Sequence, residues 1–384
     1  MRKIGRIISA FFAEIMMYIW QRDDWPNFRW EDAALADELA AAHALQARLL
    51  GRMEALGLQL RDEAKLATLT REVLATSEIE GERLDDAQVR SSVARRLGLD
   101  VAGLKPSDRN VDGVVEMLLD ATQNYADPLT PERLKAWQAS LFPTGRSGMS
   151  RIRTGEYRDA ANDPMRVLSG PIEKPTVHFE APPAERVEAE TQRFIKWFNN
   201  DHGPDALVKS GVAHLWFVTI HPFEDGNGRI ARAIADMAVA QGEGTTQRAY
   251  SVSSQIRDQR ENYYGGLERA QKATMEITER LRWYLQQVRL ALEDGLVRLD
   301  SAVRKARFWE RFGRQALNER QINLLERVMR DDWEGKLTSS KWAKIARCSQ
   351  DTAGRDINDL LERGALEKNP GGGRSTSYSI QYPE

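Results

Sequence analysis

His221-Pro222-Phe223-Glu224-Asp225-Gly226-Asn227-Gly228-Arg229-Ile230-Ala231-Arg232 decides how this chain of 384 residues is read. Two glycines around one asparagine permit left-handed backbone angles, so successive N–H groups can converge into an anion-binding nest. A helix is predicted directly after it, through IARAIADMAVAQ, and its N-terminal amides and dipole favour phosphate. Arg229 and Arg232, three apart and near one helical face, can neutralise phosphate oxygens. Asp225, at the lip of the nest, is placed to hold a Mg²⁺ that bridges two phosphates. His221, four residues before the nest begins, supplies a group with a pKa near neutrality that can take the proton of an attacking hydroxyl. A lone histidine is most often a satisfied core residue. Here His, Asp, two Gly, Asn and two Arg within one short segment all serve one anion chemistry.

Outward from this segment, apolar residues recur at helical spacing, as in WEDAALADELAAAHALQARLLGRMEAL from Trp30 to Leu56. The chain is predicted to be mainly α. The exception runs from Gly155 to Pro183, where five prolines, two glycines and short β-type runs from Met165 to Leu168 and from Thr176 to Phe179 fit a hairpin or flap. Helices are expected over Ala184–Asn199, over Asp205–Ile220 and after Gly226, which puts HPFEDGNG in the turn between two helices. A long charged helix is expected around Ile277–Leu299. Beyond it, residues 301–384 hold 16 Lys+Arg against 12 Asp+Glu, about +4 for that part alone, which marks a separate module.

The whole chain is 41% hydrophobic and 29% charged at a net charge of −2, which excludes a disordered tail and a globally basic nucleic-acid coat. Its single cysteine, Cys348, cannot close an intramolecular disulfide, and no Cys/His spacing suits zinc, so a reducing cytoplasm is expected. The start, MRKIGRIISAFFAEIMMYIW, imitates a signal peptide, but Arg6 and Glu14 break the apolar run, no small-residue cleavage site follows, and the stretch is too short and polar to span a bilayer. Residues 1–16 are read as an extension outside the fold, with an amphipathic surface helix as the alternative, and no membrane partner is expected.

The segment is identified as the signature of the Fic family, HPFx(D/E)GNGRxxR, matched at every fixed position. The resemblance implies a helical enzyme that moves AMP from ATP to a Ser, Thr or Tyr hydroxyl of a target protein, with ATP and Mg²⁺ required. Carried over to this sequence, His221 is the base, Asp225 the Mg²⁺ ligand, Gly226, Asn227 and Gly228 the nest for the α- and β-phosphates, and Arg232 a partner of the terminal phosphates. Gly228 stands where the phosphorylating Doc branch usually has lysine, so the sequence resembles the AMP-transferring branch. Gly155-Glu156-Tyr157-Arg158, then Val167-Leu168-Ser169-Gly170 and Glu180-Ala181-Pro182-Pro183, resemble the flap that lies over the nucleotide and clamps the target by strand pairing. The flap is longer than the usual pattern. Tyr263 and Tyr264 resemble the tyrosine pair beside the adenine, the alternative being ordinary helix packing. YIWQRDDWPNF resembles the opening of a bacterial Fic subgroup, with its tryptophans as core residues.

Upstream, Thr76-Ser77-Glu78-Ile79-Glu80-Gly81 fits the (S/T)xxxE(G/N) motif of self-restrained Fic proteins. The resemblance implies that Glu80, on a helix against the active site, makes a bidentate ion pair with Arg232 and occupies the arginine meant for the γ-phosphate. Near the other end, LTSSKWAKIARCSQDTAGRDINDLLERGALEKNPGGGRSTSYSI resembles a winged helix-turn-helix: a cap at Ser339 or Ser340, a helix to Ala346, a turn at Cys348-Ser349, a second helix to Glu362, and two extended runs after Gly364. Ser349, Gln350, Thr352 and Arg355 would face a major groove and Arg374 a phosphate, so residues 337–380 are a candidate DNA surface, with protein docking as the alternative.

The resulting expectation is a helical N-terminal region over 17–105, a Fic domain over 106–299 and a winged-helix module over 300–384, in a cytoplasmic protein adenylyltransferase restrained by Glu80, with self-modification and homodimerisation as further expectations. Alternatives are removal of AMP from a modified protein, use of a different nucleotide, and a nucleotide-sensing transcriptional regulator; the intact His221 argues against the last.

Overall fold

Apolar spacing becomes helix along most of the chain. The computed structural model describes residues 17–100, 103, 105–171, 174–200, 203–330, 333–371 and 376–383; residues 1–16, read as an extension, and Arg374 lie outside that set. Two compact units are formed, Met1–Leu296 and Val297–Glu384. The stretch expected as a separate N-terminal region therefore belongs to the same unit as the signature segment.

In the first unit α1 (Asp32–Glu54) buries Leu35, Ala42, Leu49 and Met53, a recurrence of about two turns that keeps one face on the core. It is followed by α2 (Leu58–Ile79), α3 (Asp86–Arg96), α4 (Arg109–Gln123) and α5 (Pro131–Leu141). Asp85, Asp108 and Thr130 each cap the helix after them by accepting a backbone N–H. A short hairpin pairs β1 (Arg146–Ser147) with β2 (Ser150–Arg151). The predicted flap is a two-stranded antiparallel ribbon of β3 (Arg166–Ser169) and β4 (Thr176–Glu180), with an irregularity between Val167 and Leu168.

The core is built on α6 (Ala184–Asn200), α7 (Ala206–Ile220) and α8 (Asn227–Glu243). α7 is mostly apolar, and every residue from Leu207 to Ile220 is buried, as a central helix requires. It packs against α8 more extensively than any other two elements among the described residues. Then come α9 (Val252–Asp258), α10 (Arg260–Gln271) and α11 (Thr278–Phe312), whose residues from Val297 on belong to the second unit. Trp20 and Trp25 are buried, and their indole N–H groups reach the Glu180 carbonyl at 2.7 Å and Glu190 at 2.9 Å.

The second unit holds α12 (Glu319–Val328), α13 (Ser339–Ala346), α14 (Gln350–Glu362) and a hairpin of β5 (Leu366–Lys368) with β6 (Tyr378–Ile380). Phe308, Leu324, Leu325, Trp342, Ile357 and Leu360 form its core. The cap of α13 is Thr338, one residue before the expected serines, because its side chain is the one that accepts the Lys341 N–H.

Candidate active site

The signature turn begins where α7 stops. His221 takes a left-handed backbone, φ 52°, while its N–H still reaches the Phe217 carbonyl at 3.0 Å. Pro222 has no N–H to continue the helix. Asn227 then braces the loop from inside: its amide accepts the Phe223 N–H at 3.0 Å and donates to the Phe223 carbonyl at 2.8 Å. Gly226, at φ 90°, turns the chain into α8.

The two expected left-handed glycines are therefore one. Gly228 is already helical, and its lack of a side chain serves another end: a Cβ there would stand 2.2 Å from Glu80 Oε1. Asn227 is 2% exposed, so its part in the nest is to hold the loop's shape.

Nδ1 of His221 lies 3.2 Å from the Val218 carbonyl, which can only accept. The neutral ring therefore carries its proton on Nδ1 and leaves Nε2 as the base. Burial pushes the imidazole down to about 4; the Val218 bond opposes that, and the Arg158 cation adds to it. Proton abstraction by a neutral imidazole is available across the physiological range.

Arg158, expected within the flap, is instead a buried brace. Its backbone N–H bonds to the Pro222 carbonyl at 3.0 Å, Nε to the His221 carbonyl at 2.8 Å and Nη1 to Asp163 at 2.9 Å, and Nη2 donates to the Pro182 carbonyl. Asp163 also accepts the Ala184 N–H at 2.7 Å. Nothing in the local sequence announces this role, which depends on carbonyls from two separate segments and on the Asp163 carboxylate.

Glu80 does meet Arg232, but not in the expected bidentate form. Nη2 bonds to Glu80 Oε1 at 2.8 Å and to the Thr76 carbonyl at 2.9 Å, and Nε goes to the Thr76 hydroxyl at 2.7 Å. The fork cannot face Glu80 squarely because Thr76 occupies one of its prongs. Burial opposes the charge on Arg232, yet Glu80 outweighs it and holds the guanidinium above its ordinary range. Glu80 sits just past the end of α2, before Gly81 at φ 84°. Two residues on, Glu82 bonds to Arg229 at 2.8 Å, and Arg229 lies over the Phe142 ring. One acidic turn thus engages both arginines of the signature. The pattern Glu-x-Glu was present in the sequence, but its second member had no visible partner there.

Asp225 accepts the Gly226 N–H at 2.6 Å on one oxygen and the Ser147 hydroxyl on the other. The tyrosine pair divides. Tyr263 is 1% exposed and bonded to His214 at 3.0 Å, which is core packing, whereas Tyr264 reaches the Ile79 carbonyl at 3.1 Å and Glu80 at 3.4 Å. Val167, Leu168, Ser169 and Gly170 lie on β3 and at its end. Their ribbon is tied to α10 through His178 and Glu268, 2.8 Å apart, and no direct bond joins these four residues to the signature turn among the described residues. In the second unit Ser349 caps α14 through the Thr352 N–H at 3.1 Å, while Gln350 and Arg355 are exposed.

The donor set fits a polyphosphate. Arg232 Nη1 and Arg229 Nε are buried without a hydrogen-bond partner among the described residues, so both guanidiniums keep unmet capacity at a turn that precedes a helix N-terminus. The Asp225 oxygens retain further lone pairs for a cation. No group of three or more His, Cys, Asp or Glu that could hold a metal ion by itself exists among the described residues. No helix among them is long and apolar enough to cross a membrane.

Comparison with known proteins agrees with this geometry. Residues 18–99 match a domain of unknown function, DUF4172, and residues 128–239 match the Fic/DOC family. Over 103 residues the chain is 30% identical to a protein named probable protein adenylyltransferase from Aquifex aeolicus, across 27% of this chain and 30% of that protein. The chain thus spans about 30% of that relative's length. The fold is similar to that of a Fic family protein from Desulfovibrio desulfuricans, at TM-score 0.52 and 22% identity, covering 91% of this chain and 96% of that one. It is also similar to a Fic domain containing signaling protein from Bacteroides thetaiotaomicron, at TM-score 0.50 and 17% identity, covering 69% of this chain and 97% of that one. The turn between α7 and α8 thus lies inside the part of the chain, residues 128–239, that is similar to the Fic/DOC family.

Proposed function

We propose that this Fic-domain protein transfers AMP from ATP to a Ser, Thr or Tyr hydroxyl of a target protein and is restrained by its own Glu80. The observation that carries the reading is a neutral base, His221 Nε2, one short turn away from two buried arginines with unmet hydrogen-bonding capacity. Bound ATP with Mg²⁺ supplies an electrophilic α-phosphorus and a pyrophosphate leaving group. Asp225 would hold the cation, the amides around Gly226 to Gly228 the α- and β-phosphates, and Arg229 and Arg232 the outer oxygens. His221 accepts the proton of the target hydroxyl. β3 and β4 form a two-stranded ribbon, and Leu168 and Val177, paired across it, are 52% and 38% exposed. Such a ribbon offers an extended target segment an edge to pair with.

Restraint follows from Glu80. Its carboxylate stands against Gly228 and on Arg232, where it repels a terminal phosphate and takes up the cation that phosphate needs. The experiment is incubation of the Glu80→Gly protein with Mg²⁺, α-labelled ATP and lysate. Label on protein bands supports AMP transfer. Label that passes to protein only from γ-labelled ATP would make the chain a kinase and sink the proposal.

A further inference from the structure

The β3–β4 ribbon carries a chain of hydrogen bonds that the reaction above does not use. Ser169 Oγ lies 2.6 Å from His178 Nε2, and His178 Nδ1 lies 2.8 Å from Glu268 Oε2 on α10. Lys272 donates to the other oxygen of that carboxylate at 2.6 Å. The Lys272 bond, joined by that of His178, outweighs burial and holds Glu268 below the usual carboxylate range. An ionised Glu268 accepts and cannot donate, so His178 gives it Nδ1–H and turns a bare Nε2 to Ser169. The serine hydroxyl is then the donor. A nucleophile, a base and a carboxylate that orients the base, in that order, are the arrangement that activates a hydroxyl.

Two observations bear on how this relay could be reached. Ser169 is exposed, so an electrophile can reach it. Glu268 follows Tyr264 by one turn of α10, about 6 Å along the axis, and Tyr264 touches Glu80 at 3.4 Å.

We propose that Ser169 is the chain's own acceptor of the nucleotidyl group, activated by His178 and oriented through Glu268; this rests on the AMP transfer proposed above. Ser169 Oγ bonds to the α-phosphorus of ATP, the bond from that phosphorus to the α–β bridging oxygen breaks, pyrophosphate leaves, and the hydroxyl proton passes to His178 Nε2.

The test is peptide mapping of the Glu80→Gly protein after incubation with Mg²⁺ and ATP. AMP is expected on Ser169. His178→Ala should slow labelling of that residue by about 10²-fold or more, and Glu268→Gln, whose amide keeps the shape but can hold the wrong imidazole tautomer, by up to about 10⁴-fold. Diisopropyl fluorophosphate, which needs no nucleotide chemistry, should attach to Ser169 with the same dependence on His178, and melting temperatures of the variants check that the ribbon is still folded. AMP on other residues but not on Ser169, or Ser169 labelled at an unchanged rate in folded His178→Ala, overturns the assignment and leaves the transfer reaction standing. AMP on no protein at all removes both readings.

Discussion

The signature turn and the acidic turn that faces it are held in opposite ways. From His221 to Gly228 the backbone is fixed from within, by the buried Asn227 amide and by Arg158, whose side chain is 1% exposed. From Glu80 to Glu82 the chain meets that turn through two carboxylates whose side chains are 31% and 37% exposed. Bonds inside a dry core are costly to break because the freed groups find no water, whereas a part-exposed carboxylate can give up its place to another anion that keeps the buried guanidinium paired. A ligand can therefore displace the acidic turn without disturbing the base. On the proposed function, the difference separates the part that stays still for chemistry from the part that yields to it.

The firmest way to break that comparison is His221→Ala. Transfer should fall about 10²–10⁴-fold while ATP binding, measured by calorimetry, persists, since the nest and arginines remain. Unchanged turnover would remove His221 from the mechanism. Asn227→Ala should come next: it leaves the buried Phe223 N–H and carbonyl unpaired, at roughly 1–3 kcal/mol each. A melting temperature lowered by several degrees is expected, and an unaltered melt would show that the loop is held from elsewhere.

On the yielding side, Glu80→Gly should raise AMP transfer on the order of tenfold or more by label incorporation. Glu78→Gly is the control, since Glu78 pairs with Arg257 at 3.0 Å, and equal acceleration by both would refute the assignment. Glu82→Gln frees Arg229 from a more exposed carboxylate. A gain of about 0.2–1 kcal/mol, roughly a one-and-a-half- to fivefold rise that shrinks with added salt, is expected. A rise as large as that of Glu80→Gly would make the two pairs equal partners.

The smallest effect should be that of pH. A base works when neutral, and His221 is pushed down to about 4, so kcat/KM should change little between about pH 8 and pH 5 and fall only as pH drops through about 4. An acidic limb near the ordinary imidazole value of about 6.5 would show that the ring is solvated in the free enzyme.

Much of the scaffold was legible because its signals are local. The helices around the turn, the ribbon and the split near residue 300 follow from spacing, prolines and a change in charge, all readable within a few residues. The meeting of Glu80 with Arg232 was legible only through the motif. What could not be read are contacts made across the fold: Thr76 taking one prong of Arg232, Glu82 finding Arg229, and Arg158 stitching two segments by their carbonyls and Asp163 by its carboxylate. Gly228 is instructive, because composition suggests backbone freedom and the structure shows a need for empty space beside Glu80. Tyr263 and Tyr264 are neighbours in sequence, yet helical geometry sends one into the core and the other toward the acidic turn.

Arg158 and Asp163 have a consequence for how this protein can vary. Together they grip both feet of the ribbon, through Pro182 and Ala184 on one side and the loop that leads into it on the other, and the Ala181 N–H closes onto Met165 at 2.9 Å. With the feet clamped, residues added or lost between Ser169 and Thr176 do not pull on the catalytic turn, and each doubling of such a loop costs only about 0.6 kcal/mol. Selection is then free to rewrite the tip of the ribbon for a new recipient while inheriting the reaction centre unchanged, and grafting a foreign tip between those two positions is the corresponding design.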